Sequence, residues 1–180
     1  AGSSHTCAVT ATGAVFCWGM NHAGQLGDGT SGPSRLTPTL VSSLSDGVTA
    51  LAAGGAHTCA VTEAGGVLCW GENWHGQLGD GTQENRLIPT SVSSLASGVI
   101  SLAKGIDHTC AVTGAGAVYC WGKNWYGQLG DGTQQNRLTP TQVSGLIPNV
   151  TALSGGSTDT CALTTAGGVL CWGLNDFGQL

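Results

Sequence analysis

His57-Thr-Cys-Ala-Val-Thr-Glu-Ala-Gly-Gly-Val-Leu-Cys-Trp70 is the stretch that decides the fold. It reads as two short strands around the turn Glu63-Ala-Gly65, where Gly65 accepts a left-handed backbone that other residues resist. A three-residue hairpin loop of this kind pairs Thr62 with Gly66. The register then sets Val61 opposite Val67, Ala60 opposite Leu68, Cys59 opposite Cys69 and Thr58 opposite Trp70. The two cysteines occupy a non-hydrogen-bonded pair, where Cα atoms approach to about 4.5 Å. That separation lies inside the window for a disulfide.

The same hairpin recurs along the chain. Trp18, Trp70, Trp121 and Trp172 are separated by 52, 51 and 51 residues. Cys7, Cys59, Cys110 and Cys161 keep those intervals, as do Cys17, Cys69, Cys120 and Cys171. Cutting six residues before each first cysteine gives units 1–52, 53–103, 104–154 and a half unit, 155–180. Self-similarity at a fixed period marks a repeat architecture. Each unit reads as Val48-Thr-Ala-Leu-Ala-Ala53, the hairpin, a Gly/Asn/Asp loop to Thr82, and Arg86-Leu-Ile-Pro-Thr-Ser-Val92. Pro89 is tolerable on an edge strand and not on a central one. Three or four strands per unit, with turn signals evenly spaced, predict an all-β protein built of propeller blades.

Three readings of the cysteines compete. Zinc favours cysteines two to four residues apart, whereas nine residues separate the members of each pair here. Free thiols buried in a core are the simplest alternative. Four pairs, each at a bridging register, favour disulfides and an oxidising compartment. The pairs would be Cys7–Cys17, Cys59–Cys69, Cys110–Cys120 and Cys161–Cys171, one brace per blade. The sequon Asn149-Val-Thr151 is a candidate glycosylation site that suits a secreted chain.

Composition narrows the function. Of 180 residues, 31 are Gly, 8 are Cys and only 8% are charged, for a formal net charge of −5. Five basic residues cannot supply the positive footprint that nucleic acid requires. No apolar run approaches the ~20 residues of a helical membrane span.

Gly-x-x-His-Thr-Cys-Ala-Val-Thr, Gly-x-Val-x-Cys-Trp-Gly and Asn-x-x-Gly-Gln-Leu-Gly-Asp-Gly-Thr together closely resemble the regulator of chromosome condensation repeat. The resemblance spans essentially the whole chain. It implies a seven-bladed β-propeller when complete, with blades of four antiparallel strands, of which this chain holds about 3.5. The cysteine pairs make it look like secreted and cell-surface members. The fourth unit departs from the pattern, with Asp159 where the others have His5, His57 and His108. Seven blades at this period need about 360 residues. The chain is therefore expected to be part of a longer propeller, or an open array that stacks head to tail on further copies of itself.

Candidate chemistry is sparse. His57 and Cys59 share one strand face, but the unit recurs in three repeats and lacks an orienting third group, so no catalytic residue is assigned. Asp28, Asp80 and Asp131 offer one carboxylate per loop, too few for calcium and apt for a turn in which Asp bonds its own backbone. Arg35, Arg86 and Arg137 are read as ties between blades, to carbonyls or to these Asp residues. The repeated His is read as a structural hydrogen-bonding group. No cofactor or metal is expected.

Positions that differ between units carry more information. Trp74, His75, Trp125, Tyr126 and Phe177 place large side chains on glycine-rich loops, where aromatics anchor partners; the alternative is packing against a neighbouring loop. The expectation is a non-enzymatic secreted or surface scaffold that binds a protein partner or further copies of itself. A filament subunit, an inhibitor of a secreted enzyme and, least favoured, a guanine-nucleotide exchange factor are the alternatives.

Overall fold

A computed structural model describes residues 1–146 and 149–180, and all regular elements in them are strands. The first sheet holds β1 (His5–Val9), β2 (Val15–Asn21) and β3 (Gly32–Leu40). The second holds β4 (Val48–Ala53), β5 (His57–Thr62), β6 (Val67–Gly71) and β7 (Arg86–Ser91). The third repeats it with β8 (Val99–Lys104), β9 (His108–Thr113), β10 (Val118–Gly122) and β11 (Arg137–Gln142). The last is β12 (Val150–Gly155), β13 (Asp159–Thr164) and β14 (Val169–Gly173). Sheets of three, four, four and three antiparallel strands make about 3.5 propeller blades.

The hairpin register follows the sequence reading. Cys59 pairs with Cys69, Ala60 with Leu68, Val61 with Val67 and Thr58 with Trp70. The same pattern recurs in the other three sheets. Gly65 takes φ 74°, and Thr62 N–H donates to Gly66 O at 2.9 Å to close the loop. All four cysteine pairs are joined as disulfides, each with a Cα separation of 4.1 Å. Pro89 and Pro140 lie on β7 and β11, the outer edges of their sheets, where a missing N–H breaks no ladder.

Strands β4, β8 and β12 contact one another side by side and form the inner margin of the array. The core lies between sheets. Each of three apolar clusters takes a cysteine pair, valines and leucines from one blade and an alanine and tryptophan from the next. Trp70 and Trp121 are fully buried at these junctions. A polar relay accompanies each one. His57 Nε2 meets Thr109 Oγ1 at 2.9 Å, while Thr109 Oγ1 and Trp121 Nε1 both donate to Gln77 O, at 2.9 and 3.0 Å. His5, Thr58, Trp70 and Gln25 repeat the arrangement, as do His108, Thr160, Trp172 and Gln128.

Candidate protein-binding surface

Antiparallel order places the β4–β5 and β6–β7 loops at one end of a blade and the hairpin turn at the other. The β6–β7 loop is long, yet a single buried side chain organises it. Asn73 Oδ1 accepts Leu78 N–H at 3.0 Å, and Asn73 Nδ2 donates to Asp80 Oδ1 at 3.1 Å and to Thr82 O at 3.0 Å. Asp80 in turn accepts its own Thr82 N–H at 2.9 Å, the turn expected of it. Burial pushes the Asp80 carboxyl up, but hydrogen bonds from Thr82 and Arg86 outweigh it and hold the group below its usual range. Asn21 and Asn124 do the same work in the first and third repeats.

The arginines meet the expected aspartates but not across the expected boundary. Arg35, Arg86 and Arg137 bind Asp28, Asp80 and Asp131 through Nε at 3.0, 2.7 and 2.6 Å, each within its own repeat. They brace single loops and do not tie blades together. The partners lie only six or seven positions apart, on one loop. The ties between blades come instead from the histidine relay.

A side-chain cap then fixes the variable positions. Gln77 Oε1 accepts His75 N–H at 2.9 Å, Gln128 Oε1 accepts Tyr126 N–H at 3.0 Å, and Gln179 Oε1 accepts Phe177 N–H at 3.0 Å. The loop backbones are pinned while the side chains stay out. Trp74 is 66% exposed, Trp125 55%, Tyr126 46% and Phe177 91%. His75 is half-buried and meets the Trp125 ring edge-on at 5.3 Å, so it packs on the next blade's loop. Burial lowers its pKa below the ordinary value, an effect that nearby Asp107 opposes and Lys123 reinforces.

Two further residues complete this surface. Lys123 Nζ lies 3.0 Å from Asp107 Oδ2 and 4.3 Å from the Trp125 ring centroid. Burial, with Asp107 second, raises the pKa of neighbouring Glu72, against the opposing pull of Lys123. Lys123 and Glu72 occupy the same variable position in successive repeats, a signal the aromatic pattern overshadowed. Asn149 is half-buried at the foot of β12, on the opposite end, where its carbonyl accepts Thr165 N–H at 2.8 Å. Among the described residues no three His, Cys, Asp or Glu side chains gather as a metal site requires, and no helix is long and apolar enough to cross a membrane.

Models of the regulator of chromosome condensation (RCC1) repeat match residues 12–61, 64–112 and 115–163, and a second form matches 48–77, 99–128 and 150–179. The chain belongs to the RCC1 repeat family. Among curated relatives of these RCC1 repeats, the Arabidopsis thaliana ultraviolet-B receptor UVR8 is 39% identical over 99% of the chain and 41% of its own length. The human probable E3 ubiquitin-protein ligase HERC4 is 37% identical over 99% of the chain, which spans 17% of that protein. Human WBSCR16 superposes with a TM-score of 0.85 at 27% identity, covering 97% of this chain and 46% of that one. Yeast RCC1 (Prp20), solved with Kap60, gives a TM-score of 0.83 at 23% identity over 97% of this chain and 42% of that chain. The RCC1 chain described here thus corresponds to less than half of each relative.

Proposed function

We propose that this RCC1-repeat chain is a non-enzymatic scaffold that binds a protein partner through the aromatic rim of its long loops. The observation that carries the reading is the exposure of Trp74, Trp125 and Tyr126 on loops whose backbones are fixed by buried asparagines and glutamine caps. Rigid aromatics lose little entropy on contact, which is why they dominate binding hot spots. Four disulfides suit an oxidising compartment, so we place the protein outside the cell or at its surface, with Asn149 as its glycan acceptor. The test is affinity capture from the source cells with wild type and with Trp74→Ala/Trp125→Ala. Loss of partners at unchanged thermal stability supports the surface; unchanged capture refutes it. Free thiols in the denatured, unreduced protein would remove the extracellular placement.

A further inference from the structure

The charges are unevenly divided between the two ends of the array. All five basic residues lie on the rim-loop end, and four of them are committed to internal ion pairs. Arg35, Arg86 and Arg137 are held by the loop aspartates, and Lys123 by Asp107. Lys104, the fifth, ends strand β8 at the inner margin of that same end. The acids are not similarly consumed. Glu72 forms no ion pair: its Oε2 accepts Gln77 Nε2–H at 3.4 Å and it feels Lys123 only at longer range, while Glu84 reaches only Arg86, at 3.8 Å, which Asp80 already holds. What the rim shows a partner is aromatic and acidic.

Two successive repeats display the same frame in different states. In the third, Lys123-Asn-Trp125 brings an ammonium over an indole face and against the Asp107 carboxylate. In the second, the matching residues are Glu72-Asn-Trp74. An acid stands where the base was, and the indole remains, 66% exposed and with no cation over it. A cation beside a carboxylate and over a tryptophan gains from both, and gains more where water is partly excluded. The third repeat supplies its own cation; the second has the ring with no cation over it and an acid that forms no ion pair, Lys123 being held by Asp107 and Trp125.

From this juxtaposition we propose that Glu72 and Trp74 receive a lysine or arginine side chain of a protein partner, filling the place Lys123 fills in the next repeat. The inference rests on the aromatic rim being the binding surface. It adds that the partner's anchoring segment is basic, and that recognition falls at the second repeat because the third is already satisfied from within.

The test uses the whole chain and a fluorescein-labelled peptide, Gly-Ser-Gly-Lys-Ser-Gly-Lys-Ser-Gly, against the same peptide with both lysines acetylated. Anisotropy should show binding of the free-lysine peptide and at least about tenfold weaker binding of the acetylated one, with a perturbed Trp74 indole resonance. Glu72→Gln and Trp74→Ala should each weaken binding several-fold. Glu63→Gln, on the hairpin at the far end, should change nothing. Glu72→Lys is the decisive variant: it reproduces the Lys123 arrangement and should abolish peptide binding while leaving thermal stability unchanged. Equal binding of the acetylated peptide, or equal weakening by Glu63→Gln, overturns the proposal, the latter by showing diffuse attraction to an acidic protein. If the charge proves irrelevant while Trp74→Ala/Trp125→Ala still loses its natural partner, the rim stands and the cationic anchor falls. If that double variant keeps its partner, the rim itself is refuted.

Discussion

His57 and Thr109 stand 52 residues apart in sequence and 2.9 Å apart across the junction of two blades. Thr109 has one hydroxyl hydrogen, and Gln77 O receives it at 2.9 Å. Its oxygen therefore accepts from His57, which fixes the Nε2–H tautomer and leaves Nδ1 without a proton or a partner. The same holds for His5 and His108. Each junction is built around a neutral histidine.

Acid should therefore open the array. Burial lowers the pKa of His5 to about 4, of His57 to about 3 and of His108 to about 4. The neighbouring N-terminal amine and Lys104 lower His5 further, the other histidines and Lys104 lower His57, and Asp107 opposes the shift at His108. Native pKa values sit below the unfolded 6.5, so below that value the unfolded chain binds more protons. The stabilisation is complete above pH 6.5 and is lost as pH falls towards 4. Three such groups give a slope of up to about 4 kcal/mol per pH unit. Denaturant midpoints should be flat above pH 7 and fall steeply below pH 6; a flat profile down to pH 4.5 would contradict the neutral-histidine junction.

Thr109→Val keeps the shape and removes the hydroxyl. His57 Nε2–H then loses its only acceptor inside a dry junction, and the expected cost is about 1–3 kcal/mol. Thr39→Val on exposed β3, whose hydroxyl only reaches Thr37 O, should stay within about 0.5 kcal/mol of wild type. Equilibrium unfolding of the two variants side by side provides the comparison.

Gly79→Ala and Gly98→Ala separate backbone strain from collision. Both glycines are left-handed, with φ 71° and 80°. A Cβ at Gly79 would lie 2.7 Å from Trp121 Nε1, whereas nothing lies within 4 Å of one at Gly98. Gly98→Ala should cost about 1–2 kcal/mol from conformation alone. Gly79→Ala should cost clearly more, because the buried indole must shift. Equal losses in thermal unfolding would show that the junction yields freely.

Replacing Cys59 and Cys69 by Ala removes a crosslink ten residues long in sequence separation. The chain-entropy model gives a loss of about 2–3 kcal/mol. The hairpin should survive, since its register is also set by Gly65 and the ladder around it. Backbone hydrogen exchange in β5 and β6 should quicken without loss of the native far-ultraviolet spectrum; collapse of the spectrum would show that the bridge is required for folding itself.

Much of this was legible in the residues because the determinants are local. The hairpin register followed from Glu63-Ala-Gly65, the edge placement of Pro89 from its missing N–H, and the Asp80 turn from Asp–Gly–Thr chemistry. The arginines were misplaced between blades because periodicity alone does not say whether a recurring charge points along its own loop or to the next one. Asn73 and Gln77 carried no distinguishing signal beyond their recurrence, since what they do depends on which backbone amides fall within reach once the loop has closed. The Lys123–Asp107–Trp125 cluster joins two loops of one blade, 16 residues apart along the chain.

By itself, the sequence determined the period, the strands, the hairpin pairing and the identity of the repeat, all set by neighbours within a few residues through turn geometry and alternation. Only the tertiary structure decided how one blade addresses the next. Stacking brings His57 to Thr109 and Trp121 to Gln77, fixes the protonation of the histidines by excluding water, and leaves Trp74 uncovered while Trp70 is sealed. The two tryptophans are four residues apart and chemically identical. Their difference comes from whether the adjoining blade covers the ring, which no local pattern encodes.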